Sequence, residues 1–235
     1  MLRLTHRSNL KELLDADDIP ADDLVLNMQE LDTINTYLGG HQITLAGFKK
    51  LAGQRKSIGI LEIGCGGGDN LRVIQAYCHK NGIEVQCMGV DLNPHIVTYA
   101  RAKNPEMQFE TGDYRQVQLI SKPDIIFSSL FCHHFEEQVL QEQLKWMREN
   151  CKVGFFINDL HRHLLAYYSI LILTRIFSKS YLVKNDAPLS VARGFTKREW
   201  NKRLSALGMN EAQISWKWAF RHLIVYEHKK QFDEI

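Results

Sequence analysis

Residues 60–70 read Ile60-Leu61-Glu62-Ile63-Gly64-Cys65-Gly66-Gly67-Gly68-Asp69-Asn70, the end of an apolar run that passes at once into alternate glycines and then into a helix-like segment. Strand, tight turn and helix N-terminus follow one another in that order. Glycine has no Cβ and tolerates positive φ, so the backbone at Gly64, Gly66 and Gly68 is able to approach a ligand closely. Glu62 sets an acidic side chain two residues ahead of the first glycine.

Working outward, short apolar runs recur at Ile58 to Ile63, Val85 to Val90, Met107 to Phe109, Asp124 to Phe127 and Val153 to Ile157. Helix-like stretches lie between them near Asn70 to His79, Pro94 to Ala102 and Glu136 to Asn150. This alternation predicts right-handed βαβ crossovers and a mostly parallel sheet. After the fifth run the alternation breaks. Leu160 to Leu182 reads as an apolar helical insertion, Phe195 to Leu207 as an ordinary amphipathic helix, and Ala212 to Trp218 with His222 to Tyr226 as an antiparallel pair that closes the sheet. Upstream of the loop, Pro20 after Asp17-Asp18 suits a helix start, and Leu24, Met28, Leu31, Ile34 and Leu38 form one amphipathic stripe that Gly39-Gly40 stops. The expected organisation is an N-terminal helical cap over 1–53 and an α/β domain over 54–235, with a helical insertion at 160–190.

Bulk properties narrow the function classes. Of 235 residues, 45% are hydrophobic and 24% charged, which argues against a disordered chain. A net charge of +2 without a run of like charges disfavours a nucleic-acid partner. Five scattered cysteines without a Cys-x-x-Cys pair read as reduced thiols, and no secretory pattern follows Arg3 and Arg7, so a cytosolic protein is expected. The apolar stretch Leu164 to Leu173 is too short to span a bilayer, which takes about 20 residues. Arg175, Lys179 and Lys184 leave a membrane-surface helix as an alternative use of it.

The loop discriminates between ligands by charge. A dinucleotide site wants G-x-G-x-x-G, yet Asp69 stands where the third glycine would, and Glu62 adds a second negative charge. Both repel a pyrophosphate and attract the sulfonium and ammonium of S-adenosylmethionine. Asp91, at the end of the second run, is placed for the ribose hydroxyls, and Asp113 in Gly112-Asp113-Tyr114 for an adenine amino group. The structural alternative for Asp91 or Asn93 is to cap the helix that starts at Pro94.

Residues Ile60 to Asn70, Val90 to Pro94, Gly112-Asp113 and Ser128 to Phe135 together resemble the motifs of class I S-adenosylmethionine-dependent methyltransferases. The resemblance implies a Rossmann-like, doubly wound, seven-stranded sheet with a reversed C-terminal hairpin. It also implies cofactor contacts from Glu62, Gly64, Cys65, Gly66, Gly68, Asn70, Asp91, Leu92, Gly112, Asp113, Tyr114 and Ser129. Glu12 to Asp15, Ile34 to Gly40, Asn158 to Arg162 and Arg193 to Thr196 are similar to bacterial methyltransferases of aromatic polyketide and quinone-like metabolites, which implies a phenolic acceptor and O-methylation.

Methyl transfer to a phenol needs alignment, exclusion of water and a base. His133 and His134 follow the fourth strand at the carboxyl edge, and consecutive side chains point apart, so one of them at most is expected to face the cleft. Asn158, Asp159, His161, Arg162 and His163 follow the fifth strand. Asp159 or His161 is the expected base and Arg162 its orienter or the phenolate partner, with helix capping by Asn158 or Asp159 as the structural alternative. The spacings of His133, His134, His161 and His163 match no zinc pattern, so no metal is expected. Two other readings share the cofactor site: C-methylation of a quinol-like ring, and a regulatory module without catalysis. Helix 24–38 and the insertion, Tyr167 and Tyr168 included, are expected to enclose the acceptor or to form a homodimer face.

Overall fold

The computed structural model describes residues 4–16, 18–119 and 121–229. Arg3 and Asp17 lie outside the described residues. Strands β1 (Ser57–Ile63), β2 (Glu84–Asp91), β3 (Gln108–Thr111), β4 (Ile125–Ser129), β5 (Gly154–Leu160), β6 (Gln213–Lys217) and β7 (Arg221–Glu227) form one sheet in the order β3-β2-β1-β4-β5-β7-β6. The first five run parallel, and β7 is antiparallel to both β5 and β6. The chain builds outward from β1 to β3 and then resumes at β4 on the other side of β1. That reversal opens a crevice at the carboxyl ends of β1 and β4, where ligands of such sheets bind.

Both faces of the sheet are covered, which explains the near-continuous apolar runs. Successive side chains alternate between faces. Ile58, Ile60, Phe127 and Phe156 pack toward α2 (Gly40–Ala52), α3 (Asp69–Lys80) and α4 (Pro94–Lys103), while Leu61, Ile63, Ile126, Phe155 and Ile157 pack toward α5 (Glu137–Asn150) and α8 (Lys197–Ala206). Asn93 caps α4 by accepting from the N–H groups of His95 and Ile96 at 2.9 and 3.3 Å, leaving Asp91 free of that role.

Two expectations are corrected. First, the boundary at residue 53 cuts through a layer of the sheet. Residues 12–16 and α1 (Ala21–Tyr37) line the space over the strand ends, whereas α2 buries Ile43, Phe48 and Leu51 in the main core. Gly47 makes this approach possible, since a Cβ there would stand 2.5 Å from the Phe156 ring. Second, the insertion is not one helix but two, α6 (Leu164–Phe177) and α7 (Tyr181–Arg193). The break is fixed from a distance. Glu30 of α1 accepts from the backbone N–H groups of Lys179 and Ser180 at 2.7 and 3.2 Å and from the Ser178 hydroxyl, satisfying donors that an unbroken helix would use. Among the described residues, no helix is long and apolar enough to cross a membrane.

Candidate active site

The glycine turn hangs on the neighbouring strand: the N–H groups of Gly64 and Cys65 both donate to the Val90 carbonyl, at 2.9 and 3.1 Å. Gly64 has φ +66°, and a Cβ there would lie 2.4 Å from the Phe131 ring, so the turn admits no side chain. Above it opens a cleft of about 570 Å³. Glu62, Gly64, Cys65, Gly66, Asn70, Asp91, Leu92 and Ser129 all line it. Gly68 does not; it closes the turn against Phe109. Gly112, Asp113 and Tyr114 border a small adjoining pocket of about 80 Å³ that also touches Asp91 and Leu92. Asp113 is paired there with Arg115, and the Tyr114 ring is buried edge-on against Trp146, which makes it a wall more than a hydrogen-bonding group.

The charge of the cleft fits a cationic ligand with a ribose. Glu62 is 1% exposed; its Oε1 accepts from Asn70 at 2.9 Å, and its Oε2 has no partner. Burial, followed by Asp69 and Asp91, pushes its carboxyl well above the ordinary range, a cost that an adjacent ammonium would reverse. Asp91 accepts from the Gly66 and Asn93 N–H groups at 3.0 and 3.1 Å, which fixes its rotamer while each oxygen keeps a second lone pair for a hydroxyl. A sulfonium cofactor with an α-ammonium therefore matches the acidic floor, and its ribose matches Asp91.

One part of this site escaped sequence reasoning. His41 of α2 bonds Asn70 through Nδ1 at 3.1 Å and Asp32 of α1 through Nε2 at 2.9 Å, so a buried relay runs Asp32, His41, Asn70, Glu62. Arg72 and Lys103 close its outer end on Asp32. The only sequence signal was that Asp32 adjoins the apolar stripe of the first helix.

A second cavity, of about 380 Å³, adjoins the cleft, with Leu14, Leu31, Leu130 and His134 as shared walls. The rest of its lining is largely apolar, with Ile34, Leu38, Leu160, Ala166 and Ile170 from the strand ends, α1 and α6. The side of α6 that lines it carries Ala166, Ser169, Ile170 and Leu173; Tyr167 and Tyr168, expected there, are not among the lining residues.

His133 faces this cavity and is held from behind by Asp159. Asp159 Oδ1 accepts from His133 Nδ1 at 2.7 Å and from the Leu160 N–H at 2.7 Å, and Oδ2 accepts from the His133 N–H at 2.9 Å. Burial would raise the Asp159 carboxyl, but His133 and the Leu160 N–H outweigh it and hold the group below its ordinary value. An ionised Asp159 only accepts, so Nδ1 carries a proton and Nε2 is the ring nitrogen left for another partner. That atom lies 3.6 Å from Glu12 Oε1.

The expected catalytic trio at the end of β5 is corrected on these distances. Asp159 is fully buried and serves His133 instead of meeting an acceptor. Arg162 is tied to the carbonyls of Leu4 and Gly194 and to Glu199, so it anchors the N-terminal segment and α8. His161 packs against His163, Phe220 and His222 and lines neither cavity. Asn158 and Asp159 remain in β5, and His163 caps α6 in their place. The four histidines do not converge. His133 and His134 group instead with Glu12, their candidate ligand atoms all within 4.8 Å of one another.

Residues 60–154 match the family model described as a methyltransferase domain. No curated protein matches the chain by sequence. Among solved structures, the plantazolicin methyltransferase BpumL in complex with SAH is similar over 91% of this chain and 92% of its own, at 16% identity and a TM-score of 0.68. Human N-acetylserotonin methyltransferase in complex with SAM is similar over 88% of this chain and 56% of its own, at 14% identity and a TM-score of 0.64. A putative O-methyltransferase from Nostoc punctiforme PCC 73102 is similar over 86% of this chain and 60% of its own, at 14% identity and a TM-score of 0.58. These likenesses concern the fold. The family match runs from β1 through α5 and contains the glycine turn under the acidic cleft, so residues 60–154 are similar to a methyltransferase domain within a chain that has the fold of these enzymes.

Proposed function

We propose that the chain methylates a hydroxyl oxygen of a small, apolar aromatic acceptor, phenolic or polyketide-like, with His133 as the base. The observation that carries this reading is the His133–Asp159 pair: an imidazole with Nδ1 fixed on a buried carboxylate at 2.7 Å and Nε2 3.6 Å from Glu12 Oε1, on a residue that lines a mostly apolar cavity beside the cofactor cleft. S-adenosylmethionine, when bound, supplies the methyl group by displacement at its sulfonium. His133 Nε2 takes the hydroxyl proton, and Asp159 holds the ring and stabilises the imidazolium. Leu31 and Leu130, walls of both spaces, exclude water and align the acceptor toward the cleft.

The test is turnover on a panel of alkyl-substituted phenols and phenolic acids, read as S-adenosylhomocysteine released and as product mass. His133→Ala is expected to lower turnover by about a hundredfold or more while cofactor affinity persists. His161→Ala is expected to keep wild-type turnover. Product fragmentation that places the methyl on ring carbon, or full activity in His133→Ala, overturns the reading.

A further inference from the structure

Among the described residues, the buried arginines other than Arg221 have a carboxylate or several carbonyls as acceptors, although Arg203 Nε is without a partner. Arg162 has two carbonyls and Glu199, Arg193 has the carbonyls of Leu10, His133 and His134, and Arg203 has Glu137. Arg221 is different. It begins β7 in register with Leu160, is 3% exposed, and makes one side-chain bond, from Nη2 to the Asn35 amide oxygen at 2.9 Å. Its Nε and Nη1 have no partner, and no carboxylate among the described residues pairs with it. Asp159, the residue before its strand partner, is already committed to His133 and to the Leu160 N–H.

The guanidinium stays charged and presents its donors as a planar fork that matches a carboxylate. A buried charge with orphan donors is strongly unfavourable unless something pairs with it. Arg221 lines the cavity assigned to the acceptor; the two carboxylates that share this lining do not pair with it, since Glu12 accepts from the Ser190 hydroxyl and Asp186 from the Leu13 and Leu14 N–H groups. We infer that Arg221 binds a carboxylate of the acceptor, so that the substrate is an aromatic hydroxy acid and not a neutral phenol. This rests on the assignment of that cavity to the acceptor. The competing source is the cofactor's own carboxylate, because Asn35, which holds Arg221, also lines the cofactor cleft. Arg221 itself lines the acceptor cavity and not the cleft, which favours the acceptor.

Two probes that differ by the carboxylate separate these cases: 2,4-dihydroxy-6-pentylbenzoate and 5-pentylresorcinol, titrated calorimetrically into full-length protein saturated with S-adenosylhomocysteine. Wild type is expected to prefer the acid by about tenfold or more, in line with a charge-assisted pair. Arg221→Met is expected to erase that preference while its affinity for S-adenosylhomocysteine stays within about twofold of wild type, and Arg221→Lys, which keeps the charge without the fork, to fall between. Equal binding of the two probes by wild type, or binding of neither, overturns the inference even where Arg221→Met fails to fold. A selective loss of S-adenosylhomocysteine affinity in Arg221→Met also overturns it and assigns the arginine to the cofactor. Protein that prefers the acid but leaves it unmethylated keeps the carboxylate site and loses the O-methylation reading instead.

Discussion

Replacing Asp159 with asparagine changes one atom type and leaves the volume of the buried site unchanged. Asp159 accepts three bonds: His133 Nδ1–H and the Leu160 N–H on Oδ1, both at 2.7 Å, and the His133 N–H on Oδ2 at 2.9 Å. Asparagine has a single acceptor oxygen. With that oxygen toward Leu160, the amide NH₂ meets the His133 backbone N–H; with it toward the His133 backbone, the NH₂ meets the Leu160 N–H and donates to Nδ1. Either placement sets donor against donor and leaves a buried N–H unsatisfied, worth about 1 to 3 kcal/mol of stability. The second placement also reverses the imidazole tautomer: the proton moves to Nε2, and the lone pair facing the acceptor is lost. Turnover is expected to fall by about a hundredfold to ten-thousandfold, the range a positioned base supplies. Two measurements check this. Nitrogen-15 shifts of His133 report the Nδ1–H tautomer in wild type and its loss in the variant, independently of the acceptor. S-adenosylhomocysteine release reports turnover, with cofactor affinity as the control. A variant with unchanged tautomer and wild-type turnover would refute the base assignment.

Asp91→Ala is expected to weaken S-adenosylmethionine and S-adenosylhomocysteine alike by at least about tenfold, since each charge-assisted bond is worth about 1.5 to 3 kcal/mol; calorimetry with unchanged affinity contradicts the ribose assignment. Gly64→Ala forces a Cβ to within 2.4 Å of the Phe131 ring at φ +66°, so S-adenosylhomocysteine binding should be lost and the melting temperature lowered; retention of both shows that the turn is adaptable. His222 is 1% exposed with neither ring nitrogen partnered, and burial, then His161, lowers its pKa to about 4. Its folded-state value lies below the unfolded value of about 6.5, so its contribution to stability is complete above pH 6.5 and is lost as pH falls toward 4, about 2 kcal/mol of it by pH 5. Urea midpoints at pH 7.5 and 5 should differ accordingly in wild type and less in His222→Leu; an equal difference in the two proteins assigns the acid sensitivity elsewhere.

The sequence by itself determined the sheet, the glycine turn and the acidic character of the cofactor cleft. Each of these is written in near neighbours: apolar runs at strand period, Gly64 to Gly68 in one turn, Glu62 and Asp91 within a residue of strand ends, and Asp69 at the first position of the helix that follows the turn. Local patterns fix backbone conformation, and in a parallel sheet the conformation fixes which strand ends meet. The division of labour at the acceptor end was decided by tertiary structure. Asp159 and His133 are 26 residues apart and both looked like candidate bases, yet only the packing of β5 behind the turn after β4 makes one the support of the other. Likewise α2 was read as cap because its apolar face is equally consistent with any apolar partner, and only Gly47 against Phe156 selects the sheet. The break between α6 and α7 depends on Glu30, about 150 residues away, and the isolation of Arg221 depends on every side chain that could have paired with it and does not. Burial and pairing belong to the assembled surroundings of a residue, so a pattern confined to its own neighbourhood in the chain carries no record of them.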